Sequence, residues 1–261
     1  MKQRILTAVV AAALFLPIVY YGGIPLVLLT YFLATIGLYE LLKMKNLSLF
    51  SVHGMLSVLF LWVLIFPEKY NDVLGTFNYS KTELCIAFIL LLLAYTVITK
   101  NQFTFEDISF TILSAIYVGI GFYYFYETRV EGGLVYILYS LFMIWATDSG
   151  AYFIGKAFGK RKLWPEISPN KTIEGSLGGV VCAVIVAILF VFLTDINRSI
   201  IAITVVLSVF GQIGDLVESA FKRHFNVKDS GKILPGHGGI LDRFDSLLFV
   251  WPLLHFFHLW A

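Results

Sequence analysis

The sequence predicts an all-α, polytopic membrane protein with about nine transmembrane helices, and three observations carry that prediction. Hydrophobic residues make up 59% of the 261 and charged residues 14%, too little charge to cover a soluble domain of this size. The apolar residues come in long runs, as in helices that face lipid or one another, and not in the short alternating segments of a transmembrane barrel. Lys and Arg fall unevenly between the runs. With the N-terminus placed in the cytoplasm and the loops assigned alternately, fifteen of the nineteen lie inside, leaving Lys69, Lys81, Arg129 and Arg198 outside. That bias predicts an N-in, C-out topology.

The elements follow in order. A first run at 5–21 comes after Lys2 and Arg4, like a signal peptide. No small-x-small cleavage site follows it, so it is expected to stay as a helix. Runs at 24–42, 50–66, 84–99 and 109–126 are rich in aromatic residues and joined by short connections. They show little chemistry, so residues 1–130 are expected to be mainly structural. Runs at 133–147, 173–193, 198–214 and 245–260 complete the set. Several are shorter than the ~20 residues that cross a bilayer, so their helices should extend into flanking polar residues. No hydrophilic domain, low-complexity tract or internal repeat interrupts the chain, which predicts a single membrane domain over 1–261. Cys85 and Cys182 sit inside apolar runs and read as inert thiols. His255 and His258, with nothing acidic beside them, read as interfacial packing.

Chemistry concentrates in residues 131–261, in loops 148–172 and 215–245. Asp148, in WATDSGAY, closes an apolar run. A carboxylate there is either a helix end in headgroup water or a costly group that is paired or bound to a cation. Lys156, Lys160, Arg161 and Lys162 follow as a topogenic cluster drawn to anionic lipid. SPNKTIEG, from Ser168, reads as a helix N-terminus with Ser168 or Asn170 as cap and Pro169 in the first turn. Free N–H groups, the helix dipole and Lys171 would then suit a phosphate, with Glu174 one turn in. An ordinary capped helix is the plainer alternative.

If the eighth helix continues past its apolar run, Asp215, Glu218 and Lys222 share one face. Ion pairing would explain that stripe, but not the crowding of Arg223, Lys228, Asp229 and Lys232 behind it. The stretch GKILPGHGGILDRFDS then gathers Gly231, Gly236, Gly238 and Gly239, which can take positive φ and admit a ligand close to backbone amides. Asp242 and Asp245 stand three apart at the start of the ninth helix. Acidic residues there suit the helix dipole. They would also supply a hard divalent cation together with Asp215, if the eighth and ninth helices pack side by side. Carboxylates for metal, Lys and Arg for phosphates and glycine-lined backbone form the kit for phosphoryl or nucleotidyl transfer. A Walker-type loop is absent. A secondary transporter would need matching halves and charges at mid-membrane, and the D-x2-D-G-x2-A-R spacing of CDP-alcohol phosphotransferases is missing.

The segment from Ser219 to Asp245, S-x-F-K-R-x4-K-D-x-G-x2-L-P-x-H-G-G-I-x-D-R-F-D, resembles the signature of the phosphatidate cytidylyltransferase (CDP-diacylglycerol synthase) family. Eleven fixed positions match over 27 residues: Ser219, Lys222, Arg223, Lys228, Asp229, His237, Gly238, Gly239, Asp242, Arg243 and Asp245. TDSGAY and SPNKTIEG also look like the family's. The resemblance implies that CTP and phosphatidic acid give CDP-diacylglycerol and pyrophosphate. It implies a requirement for Mg²⁺, alone or with a second cation, and a helical membrane fold that forms a homodimer. Asp215 and Asp245 would hold metal, with Asp242 a third ligand. Lys171, Lys222, Arg223, Lys228, His237 and Arg243 would serve the phosphates, with the backbone of Gly238 and Gly239. Asp148, Asn170, Glu174, Glu218 and Asp229 would support them. The expected partners are CTP, phosphatidic acid and the bilayer, without nucleic acid. The expected location is the cell membrane, with the site facing the cytoplasm.

Overall fold

Every apolar run forms a helix in a computed structural model that describes residues 2–70, 72 and 79–260. The helices are α1 (Lys2–Tyr21), α2 (Gly23–Met44), α3 (Val52–Leu64), α4 (Lys81–Ile98), α5 (Phe105–Glu131), α6 (Gly133–Phe158), α7 (Ile173–Leu193), α8 (Ile200–His224) and α9 (Leu241–Phe256). Six of them, α2 and α4 to α8, are long and apolar enough to cross a membrane. The 13 residues of α3 and the 16 of α9 reach only about 20 and 24 Å at 1.5 Å per residue. A bilayer core is about 30 Å thick. The chain is thus mostly helical and multi-pass.

Two expectations about boundaries need correction. The sixth run ends at 147, but α6 continues to Phe158, so Asp148 lies inside a helix and not at its end. SPNKT does not begin the seventh helix. Ser168–Thr172 is a strand, β2, paired antiparallel with β1 (Lys162–Trp164), so the helical fold carries one small hairpin. The residue before a proline is pushed out of the α region, and a two-stranded hairpin has free edges where proline costs no ladder bond. Thr172 is extended and caps α7, its Oγ1 accepting from Gly175 N–H at 3.1 Å. Glu174 holds the hairpin's entry by accepting the N–H groups of Lys160 and Arg161 at 3.0 and 3.2 Å.

The chain gathers into two compact units. Unit one comprises residues 1–126 together with 230–240, and unit two comprises 127–229 with 241–261. The glycine-rich loop thus groups with the N-terminal helices.

In unit one, Lys45 pairs with Asp107 at 2.8 Å, and the Trp62 indole donates to Thr35 at 3.0 Å. His53 stacks on Phe103, centroids 4.2 Å apart. Ser80 and Glu83 form a capping box that starts α4.

In unit two, α6 and α7 approach through small residues, as membrane helices do where lipid gives no hydrophobic drive to associate. A Cβ at Gly179 would lie 2.6 Å from the Thr147 carbonyl oxygen, and one at Gly150 would lie 2.6 Å from Cys182 Sγ. Gly179→Leu should therefore force the helices apart and lower the unfolding temperature of the detergent-purified protein. An unchanged melting curve would show that α6 and α7 tolerate a wider spacing. Hydroxyl pairs join Thr147 to Ser208 at 3.0 Å and Tyr139 to Thr204 at 2.7 Å, and the Trp251 indole donates to Ser140 Oγ at 3.0 Å. Both cysteines are free thiols.

Candidate active site

The extensions of α6 and α8 beyond their apolar runs put charge next to the hairpin. In unit two a cavity of about 570 Å³ is lined by Asp148 and Tyr152 of α6, Asn170 and Lys171 of β2, Ser176 of α7, and Gln212 and Asp215 of α8, among others. Lys171 donates to Asp215 Oδ2 at 2.5 Å, and Ser219 Oγ donates to Asp215 Oδ1 at 3.3 Å. Gln212 is fixed by donating to the Ser176 carbonyl at 3.3 Å. Lys171 thus enters the site from a strand, where the sequence had placed it at a helix N-terminus.

Helix α8 runs unbroken to His224, so Asp215, Glu218 and Lys222 do share a face. It packs side by side with α9: a Cβ at Gly214 would lie 2.6 Å from the Asp245 carbonyl oxygen. This close approach sorts the carboxylates. Asp148, Asp215 and Asp245 lie near enough for each charge to act on the other two, with Lys171 and Arg243 acting on Asp148. Asp245 Oδ1 accepts the neighbouring Ser246 N–H at 2.7 Å. Asp242 is in direct contact with a lysine. Its Oδ1 accepts from Lys222 at 2.7 Å, and the same ammonium pairs with Glu218, which is fully buried. Lys222 is therefore a bridge between α8 and α9 flanked by two carboxylates.

Among the described residues, no three His, Cys, Asp or Glu side chains converge tightly enough to hold a metal ion alone. The clustered carboxylates do suit a hard cation such as Mg²⁺, which takes one or two carboxylates and completes its shell with water and substrate phosphates. Three like charges close together are unfavourable unless a cation sits among them. Asp215 and Asp245, with Asp148 beside them, fit that need better than Asp242, whose carboxylate is engaged by Lys222.

The other expected residues are spread more widely. Arg223 Nε donates to the Ile167 carbonyl in the hairpin at 3.2 Å. Lys228 and Asp229 are exposed beyond α8. His237, Gly238 and Gly239 belong to the loop in unit one, where Gly236 and Gly238 take φ of 79° and 87°. Sequence reasoning missed Tyr152, Ser176 and Gln212 in the cavity wall. It also missed Glu40 of α2, which is fully buried. A lone carboxylate in an apolar run is an expensive choice, and that signal was available for Glu40.

Long apolar helices, with Asp148, Asp215 and Lys171 lining one cavity, define a membrane protein with a charged site beside its helices. The chain belongs to the cytidylyltransferase family, whose model matches residues 2–260. It is 53% identical to the phosphatidate cytidylyltransferase of Bacillus subtilis, over 98% of this chain and 97% of that protein. It is 54% identical to the phosphatidate cytidylyltransferase of Staphylococcus haemolyticus, over 98% of each. The Staphylococcus aureus protein of the same name is 51% identical, again over 98% of each.

Proposed function

We propose that this chain transfers CMP from CTP to phosphatidic acid, giving CDP-diacylglycerol and pyrophosphate for phospholipid synthesis. Full-length identity to phosphatidate cytidylyltransferases carries the choice of substrates. The cluster of Asp148, Asp215 and Asp245 beside Lys171 supports where the chemistry takes place.

A phosphate oxygen of phosphatidic acid forms the new bond to the α-phosphorus of CTP, and the bond from that phosphorus to the β-phosphate bridging oxygen breaks. A phosphate monoester has a second pKa of about 6, so the nucleophile is already largely ionised and needs no strong base. His237 is accordingly a phosphate contact or a loop anchor. The main barrier is bringing two polyanions together, which the cationic side chains address by position and charge. Lys171 leaves Asp215 for a phosphate oxygen when substrate enters. Arg223 and Arg243 serve the same phosphates, with Lys228, His237 and the backbone at Gly238 and Gly239. Asp215 and Asp245, with Asp148, would hold Mg²⁺, which would supply positive charge against the phosphates of the substrates. Lys222 engages Asp242 and ties α8 to α9.

The enzyme works as a homodimer in the cell membrane. Its nine helices run N-in and C-out with the site at the cytoplasmic face, a reading supported by the Lys and Arg bias and by the resemblance. Labelled CTP supplied with phosphatidic acid and Mg²⁺ should enter chloroform-soluble product, and omission of either should abolish incorporation. Incorporation that ignores phosphatidic acid would overturn the assignment.

A further inference from the structure

The loop from Ser230 to Ile240 is held at both ends by one side chain. Ser230 Oγ donates to Glu40 Oε2 at 3.0 Å, and Ile240 N–H donates to Glu40 Oε1 at 2.9 Å. Glu40 lies some 190 to 200 residues away in sequence and is fully buried in unit one. Between these anchors the loop is also closed on itself. Leu234 N–H donates to the Gly238 carbonyl at 3.0 Å, and His237 N–H donates to the Leu234 carbonyl at 2.9 Å. Thr7 Oγ1 donates to the Pro235 carbonyl at 3.0 Å.

Two of the loop's glycines are shaped by the same carboxylate. A Cβ at Gly231 or Gly239 would stand 2.9 or 2.5 Å from the Glu40 carboxyl carbon. Those two glycines therefore make room for Glu40, whereas Gly236 and Gly238 are needed for positive φ. A buried carboxylate that accepts a backbone N–H and a hydroxyl at opposite ends of one loop fixes that loop's shape, because neither donor has water as an alternative.

We infer that Glu40 is a positioning residue for cytidylyl transfer: it sets the geometry of the 230–240 loop and so the placement of His237 and the Gly238–Gly239 backbone. This rests on the proposed role of that loop in handling phosphates. It also assigns the N-terminal helices a part in the reaction that their composition did not suggest.

The test uses the full chain purified in detergent, with kcat and KM for CTP measured separately and unfolding followed on the same samples. Glu40→Ala should lower kcat/KM for CTP by about 100-fold, the scale of a misplacement of roughly 1 Å, in protein that is still folded at the assay temperature. Glu40→Gln should restore most of the activity. Its amide oxygen can accept from Ile240 N–H, and its amide N–H can donate to Ser230 Oγ. If Glu40→Ala does not accumulate, Ser230→Ala removes one of the two bonds and should lower kcat/KM by about fivefold, as one hydrogen bond implies. Unchanged kcat/KM in folded Glu40→Ala, or in Ser230→Ala when the first variant cannot be purified, overturns the inference. Loss in Glu40→Gln as deep as in Glu40→Ala overturns it too, since geometry would then not be what Glu40 supplies. His237→Ala is the control for the underlying reading. Unchanged CTP kinetics there removes the loop's phosphate role, whereas an effect of His237→Ala without one from Glu40 removes only the positioning role.

Discussion

Asp245→Asn is expected to lower CTP-dependent turnover on the order of 10³-fold while leaving the folded protein intact. The size is that of losing several kcal/mol of charge stabilisation, at 1.36 kcal/mol per decade. The change in fold should be negligible for two reasons. An asparagine oxygen can still accept the Ser246 N–H that Asp245 Oδ1 now holds at 2.7 Å. Removing one of three carboxylates that repel one another, Asp148, Asp215 and Asp245, also relieves the unliganded site, so the unfolding temperature should hold or rise. Turnover titrated with Mg²⁺ checks the assignment. Asp245→Asn should show a raised half-saturation, whereas Asp242→Asn, whose carboxylate accepts from Lys222 at 2.7 Å, should shift it far less. Near-normal turnover of Asp245→Asn at saturating Mg²⁺ would remove it from the metal site.

Lys222→Ala should act first on stability. The ammonium is flanked by Glu218, with a side-chain exposure of 0%, and Asp242, at 6%. Its loss takes the ammonium away from two buried carboxylates in the seam between α8 and α9. Breaking a buried pair by removing one partner typically costs about 3–5 kcal/mol. The purified variant should therefore unfold at a clearly lower temperature and show poor activity. Pairing Lys222→Met with Glu218→Gln removes the fully buried carboxylate along with the ammonium and should recover much of the melting temperature. Activity that returns along with stability would confine Lys222 to holding the helices. Stability that returns without activity would place its ammonium on a substrate phosphate as well. A Lys222→Ala protein that melts like the unchanged chain would exclude the bridge.

How much was legible in the sequence can be traced residue by residue. Among the described residues, the helix in each apolar run was readable, because such a run must satisfy its backbone polar groups within a helix whatever its neighbours do. The helix ends were not. Asp148 looked like a helix terminus because apolar composition stops at 147, yet α6 continues to Phe158 with its polar turns facing the cavity. SPNKT looked like a cap because serine, asparagine and proline favour helix starts. Pairing with Lys162–Trp164 and the Thr172 cap overrode that local preference. The glycines of GKILPGHGGILDRFDS looked like room for phosphates, and two of them turned out to make room for Glu40.

By itself the sequence determined the helical membrane fold and the chemical kit, and its signature segment pointed to the family. Those depend on composition, periodicity and the identity of particular side chains, all of which are local. Only the tertiary structure decided which carboxylate does what. Asp215, Asp242 and Asp245 are alike as residues, and three acidic groups at two helix ends could share a cation in several ways. The close packing of α8 on α9 puts Asp242 in direct contact with Lys222, while Asp245 feels the charges of Asp148 and Asp215 as well as that of Lys222. Ion pairs and shared cations need their groups within contact distance, so their partners are fixed by the packing of helices and not by spacing along the chain.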